Sequence, residues 1–170
     1  MSKDIFSISY EKIKKINFIC TSLAGFILLF ITISIFIDVF LRYVFSSPSI
    51  WITEVSTYLF LYTIFLATAY TLQEGIHIKV TFLIYKLSDK TKRFFNLLTS
   101  IFAMAFCFVL LWQTSLMTWS AFKEKWTSPT MLSAPMAYIY IVMVVGSFLL
   151  LITFILQTII QFKESKQLER

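Results

Sequence analysis

The chain has 170 residues, a net charge of +6 and a mean hydropathy of +0.80; 58% of it is hydrophobic and only 14% charged. A soluble domain carries about 25% charged residues, and a chain this short has too much surface for its volume to hide the excess apolar area in a core. A bilayer is the fitting solvent, which excludes a soluble globular enzyme. It also turns the basic balance into a matter of membrane orientation rather than of nucleic-acid binding.

Four long charge-free runs follow one another. They lie between Lys15 and Asp38, Glu54 and Glu74, Arg93 and Lys123, and Lys125 and Lys163. A helix needs about 20 mostly apolar residues to cross roughly 30 Å of hydrocarbon. The last run is too long for one span and contains Pro129 and Pro135, so its helix is expected to start at Pro135 or Met136. Spans are therefore expected at about residues 16–41, 51–73, 95–121 and 136–161. The fold class is an all-α integral membrane protein forming one domain over residues 1–170. The runs lack the alternation of a membrane barrel and exceed the length of its strands.

Taken in chain order, Lys12, Lys14 and Lys15 precede an apolar stretch longer than a signal peptide's, with no small-residue cleavage site after it. An uncleaved first span is expected. Ile5, Ile8 and Ile13 suggest that residues 4–15 lie on the membrane surface before the chain turns into that span. After it, Ser46, Ser47 and Pro48 stop the first helix, and Ser49 is placed to cap the second. Residues 76–87 put Ile76, Val80, Leu83, Ile84 and Leu87 on one helical face, with Lys79 and Lys86 elsewhere. A short amphipathic helix over about residues 76–92, lying in the interface with its lysines toward anionic lipids, fits this pattern; a second span that runs on and bends back is the other reading. The stretch from Trp126 to Pro135 reads as an irregular loop.

Lys3, Lys12, Lys14 and Lys15, the basic residues of the middle loop, and Lys163, Lys166 and Arg170 fall on one side; Arg42, Lys123 and Lys125 fall on the other. Positive residues stay inside, so both termini and the middle loop are expected in the cytoplasm. Trp51, Trp119 and Trp126 then sit near the outer interface as anchors or ligand contacts.

Chemistry is sparse. Cys20 and Cys107 lie within apolar runs, as buried small hydrophobes do. No nucleophile is assembled with a base, no cofactor-binding or metal-ligand spacing occurs, and the single His77 has no second histidine with which to hold a haem. Neither catalytic nor cofactor residues are assigned, and an enzyme is not expected. Three ionisable residues edge the spans. Asp38 and Arg42 are four apart on one helix face, and Glu54 opens the second helix just after Trp51, so Arg42 is placed to bridge Asp38 and Glu54. Three roles are open for them: pinning the first helical hairpin, contact with a partner subunit, or transport chemistry.

The run Asp38-x-x-x-Arg42-Tyr-Val-Phe, then Pro48-x-x-Trp51-x-x-Glu54, resembles the small membrane subunit of tripartite ATP-independent periplasmic (TRAP) transporters. The likeness continues through Thr63-Ile-Phe-Leu-Ala-Thr-Ala-Tyr and Glu74-Gly75-Ile76-His77-Ile78-Lys79-Val80, which is similar to the family's G-x-H-I-x-V signature, and through Pro135-Met-Ala-Tyr138. Thr81, Ala67 and the Gln73–Glu74 pair depart from the family's usual residues. The resemblance implies a bacterial inner-membrane subunit that carries neither ion nor substrate. Its partners would be a large membrane subunit, a periplasmic substrate-binding protein and membrane lipids, with no nucleic acid. The assembly would take up an organic acid of the sialic acid or C4-dicarboxylate type, coupled to an ion gradient, usually sodium. Asp38, Arg42, Trp51, Glu54, Gly75 and His77 are the candidate structural or subunit-contact residues. A stand-alone small oligomeric transporter and a membrane anchor of another complex are the competing readings.

Overall fold

In the computed structural model the backbone is described for residues 2–47, 49–74, 89–130 and 132–167. These form four helices: α1 (Ser2–Phe45), α2 (Ile50–Gln73), α3 (Asp89–Lys123) and α4 (Met136–Gln167). All four contain a stretch long and apolar enough to cross a membrane: Tyr10–Phe45, Trp51–Gln73, Leu98–Lys123 and Met136–Ile160. The described residues contain no strand, only one isolated bridge between Thr127 and Pro135.

The helices stand in a row. α1 packs along α2, α2 along α4, and α4 along α3, while α1 reaches α4 only slightly. The span in α4, flanked on both sides, is the most covered at 33%, and the span in α3, at an edge, is the least at 11%. Where the helices meet, the covered residues are small or slender. Ala24, Leu66 and Val142 form a buried cluster, with Phe65 and Met143 packed on it. Ala69, Ala121 and Ala137 are also buried. Lipid tails are as apolar as leucine, so close backbone approach and not apolar burial drives such helices together. Gly146 is the tightest case: a Cβ there would stand 2.5 Å from the Phe65 carbonyl oxygen. By contrast Phe26, Phe36, Phe102 and Phe106 point outward, as suits contact with lipid or another protein.

Two expectations are corrected. The chain does not turn between a surface segment and the first span, because α1 is one continuous helix of 44 residues. At about 1.5 Å of rise per residue it is about 66 Å long, more than twice the hydrocarbon thickness. Ile8 is exposed on the same helix; no Gly or Pro interrupts residues 2–16, and nothing there obliges the helix to break. The Trp126–Pro135 segment, in turn, is a small ordered hairpin. Lys125 adopts φ 53°, and the Trp126 N–H bonds back to Ala121 O at 3.0 Å, a Schellman-type closure of α3. Ser128 N–H then bonds Ala134 O at 2.9 Å and Met136 N–H bonds Trp126 O at 2.9 Å, which starts α4. Of the expected interfacial segment 76–92, residues 89–92 belong to α3 and the rest lies outside the described residues.

Candidate functional site: two polar clusters at opposite ends of the row

One cluster forms where the α1–α2 turn meets the α3–α4 hairpin. Asp38 is buried near the end of α1, and its two carboxylate oxygens do different work. Oδ2 accepts from Arg42 Nη2 at 3.0 Å, across one helical turn. Oδ1 accepts from the Ser49 backbone N–H at 2.9 Å. Ser49 is the N-cap residue of α2, but its own side chain makes no capping bond. The expected serine cap is thus replaced. A carboxylate from the preceding helix holds the backbone at the start of α2, where exposed N–H groups favour negative charge.

Glu54 lies one turn into α2 and is also buried. Arg42 does not bridge to it: the one ion pair Arg42 makes among the described residues is with Asp38. Glu54 Oε1 instead accepts the Tyr58 hydroxyl at 2.7 Å. Tyr58 Oη lies 2.7 Å from Ser128 Oγ, which lies 2.6 Å from Thr130 Oγ1. A carboxylate only accepts and each hydroxyl has one proton, so the chain has one natural direction. Thr130 donates to Ser128, Ser128 to Tyr58, and Tyr58 to Glu54. This chain ties the α3–α4 hairpin to α2. The Tyr62 hydroxyl adds a bond to Tyr138 O at 2.9 Å, fixing the first turn of α4. Trp51 is exposed at the same level.

The second cluster is at the other end of α2. Asn17 of α1 is completely buried, and its Nδ2 donates to Gln73 Oε1 of α2 at 3.0 Å and to Thr153 Oγ1 of α4 at 2.9 Å. One side chain therefore joins three helices. Asn17 Oδ1 and Gln73 Nε2 are buried without a hydrogen-bond partner. None of the three residues stands out by charge, which is why reading for ionisable groups passes over them. The signal is there: an amide just inside the first charge-free run and another at the end of the second meet at one depth when the two helices run antiparallel.

Of the sequence candidates, Asp38, Arg42, Trp51 and Glu54 gather at the hairpin end. Gly75 and His77 lie outside the described residues. Cys20 and Cys107 are free thiols. Among the described residues no group of three or more His, Cys, Asp or Glu side chains is placed to hold a metal.

Four apolar helices in a row, pinned by polar clusters at opposite ends, define a multi-pass helical membrane protein. The family described as tripartite ATP-independent periplasmic transporters, DctQ component, matches residues 31–164. The chain belongs to that family, whose members are transporter subunits. It is also 30% identical over 98 residues to a Haemophilus influenzae protein that carries the name of a TRAP transporter small permease; the alignment covers 58% of each chain, so this chain spans little more than half the length of that relative.

Proposed function

We propose that this chain is the small membrane subunit of a TRAP transporter and acts as a scaffold for the large membrane subunit. The assembly takes up an organic acid, of the sialic acid or C4-dicarboxylate type, coupled to an ion gradient carried by sodium. A periplasmic binding protein delivers the substrate. The chain sits in the bacterial inner membrane with both termini in the cytoplasm and the hairpin end facing the periplasm, as the distribution of Lys and Arg favours.

The observation that carries this reading is how the ionisable residues are used. Asp38 and Glu54 hold backbone and hydroxyl groups at the ends of helices, rather than standing near the middle of the spans where a transport path would need them. Meanwhile α3 offers a long apolar edge to the outside. A scaffold needs such an edge and a rigid interior.

Purification of the tagged chain from its native membrane in mild detergent, followed by measurement of the complex mass, tests the proposal. A one-to-one complex with a much larger multi-spanning protein is expected, and the solute bound by the associated binding protein then identifies the substrate. A lone chain or homo-oligomer that moves solute in liposomes overturns the scaffold reading.

A further inference from the structure

Two clefts meet at the hairpin end. One, of about 510 Å³, has the side chains of Arg42, Ser49, Thr53 and Glu54 in its lining. The other is a mainly apolar groove of about 830 Å³ that runs down α1 past Leu41, Ile37, Ser34 and Phe30. Ser49 and Glu54 line both, so the two adjoin. The four α1 positions recur at the spacing of one helix face. From Leu41 to Phe30 they cover about 16 Å along the axis, a large part of one leaflet's hydrocarbon. Trp51 and Ile52 of α2 close the groove near its mouth.

The charges at the mouth are unlike. The Arg42 side chain is 51% exposed and gives one of its donors to Asp38, leaving others of the guanidinium's five free to bind. The Ser49 hydroxyl makes no bond to the helix it starts. Glu54 is buried beneath the cleft wall, its carboxylate held by Tyr58. A cation beside hydroxyls takes a phosphate; a carboxylate on the adjoining wall disfavours a second negative charge and attracts an ammonium group. An apolar groove below completes the description of one kind of ligand.

We infer that the hairpin end holds one phospholipid with a zwitterionic, amine-bearing head group as a fixed ligand. Its phosphate rests on Arg42 with the Ser49 and Thr53 hydroxyls, its ammonium faces Glu54, and an acyl chain fills the groove along Leu41, Ile37, Ser34 and Phe30. The lipid wedges the α1–α2 turn against the membrane surface. This assignment stands whether or not the chain acts as a scaffold, because it uses only residues of the chain itself.

The test is retention of lipid by the full chain, purified from nanodiscs containing both phosphatidylethanolamine and phosphatidylglycerol, with bound lipid identified by mass spectrometry and unfolding temperature followed in parallel. Wild type is expected to keep one phosphatidylethanolamine per chain. Arg42→Gln is expected to reduce retention by roughly tenfold or more, as loss of a charge-assisted contact does. Ile37→Trp, which fills the groove and leaves the mouth intact, is expected to do the same with an unfolding temperature at or above wild type. A folded wild type that keeps no lipid overturns the inference, as does equal retention of phosphatidylglycerol, or an Ile37→Trp variant that keeps lipid as wild type does. A photocrosslinker at Ser34 that labels a partner protein in place of lipid in the native membrane also overturns it.

Discussion

The two polar clusters solve the same problem in opposite ways. At the hairpin end two buried carboxylates anchor the cluster beside a half-exposed arginine, Asp38 bonding close in sequence to Arg42 and Ser49 while a hydroxyl chain from Glu54 reaches the α3–α4 hairpin. Around Asn17, groups are neutral, fully covered and bonded side chain to side chain across 56 and 136 residues of sequence. Water at a membrane surface relieves an unmade bond; hydrocarbon does not. The amide latch should therefore carry more of the fold's stability, and the hairpin end more of its contact with the surroundings.

A substitution between the clusters sets the upper limit. Gly146→Ala places a methyl group 2.5 Å from Phe65 O and 2.8 Å from Phe65 C, which are backbone atoms with no freedom to swing aside. α2 and α4 must separate, disturbing Thr153 on one side and the Tyr62–Tyr138 bond on the other. Overpacking of this kind costs about 1–3 kcal/mol, with more expected here because neither contact atom is a flexible side-chain end. Thermal unfolding in detergent should show the largest drop of any variant considered, and an unchanged value would mean that the two helices are not in backbone contact.

Next comes Asn17→Leu, which strands the Gln73 and Thr153 oxygens in an apolar interior. Bonds between membrane helices average near 0.6 kcal/mol and reach about 2, so losing two costs about 1–3 kcal/mol. The triple change Asn17→Leu, Gln73→Leu, Thr153→Val removes donors and acceptors together and should recover most of that loss. If the triple variant is the less stable, the latch contributes more through its polar bonds than the unmade-bond argument allows.

These residues also mark where sequence reasoning reaches its limit. Four spans could be located because length and hydropathy are set by the thickness of the bilayer, a property outside the chain. Asp38, Arg42 and Glu54 could be singled out because charge is conspicuous in apolar surroundings. The Asp38–Arg42 pair could be read from its spacing of four and is made; the partners of Glu54 could not. Tyr58 lies one turn from Glu54 on the same helix, but whether Arg42 of α1 also reaches Glu54 depends on helix rotation of a few tens of degrees, and an apolar-all-round helix such as α2 carries no periodic signal from which rotation is read. Ser128 and Thr130 are 70 or more residues from Tyr58 and Glu54, and only the fold of the hairpin brings them there. The continuity of α1 escaped for another reason: a change from polar to apolar composition near Lys15 marks a membrane boundary, and a helix crosses such a boundary without breaking.

At the hairpin end Tyr58→Phe should cost less than the latch variant, about 1 kcal/mol, by removing the proton that Glu54 accepts. Water at the interface offsets part of the loss. Its sharper readout is the hairpin: with the hydroxyl chain cut, a protease site introduced at Thr130 should be cleaved faster than in wild type. Equal rates would show that the backbone bonds within the hairpin suffice to hold it.

The smallest effect on stability belongs to Arg42→Ala. Its pair with Asp38 is half exposed and local, and such pairs contribute at most about 1 kcal/mol. Asp38 keeps its bond to the Ser49 N–H, so the start of α2 survives. If the hairpin end exists for contact rather than stability, this variant should unfold within a few degrees of wild type yet co-purify less of the large membrane subunit. Asp38→Ala supplies the contrast: it leaves the Ser49 N–H without its acceptor, which should cost about 1 kcal/mol, as loss of a cap does, and lower the unfolding temperature more. A result in which Arg42→Ala unfolds much earlier than Asp38→Ala, or in which assembly and uptake stay at wild-type levels, would remove the distinction between the two ends and return Arg42 to a purely structural role.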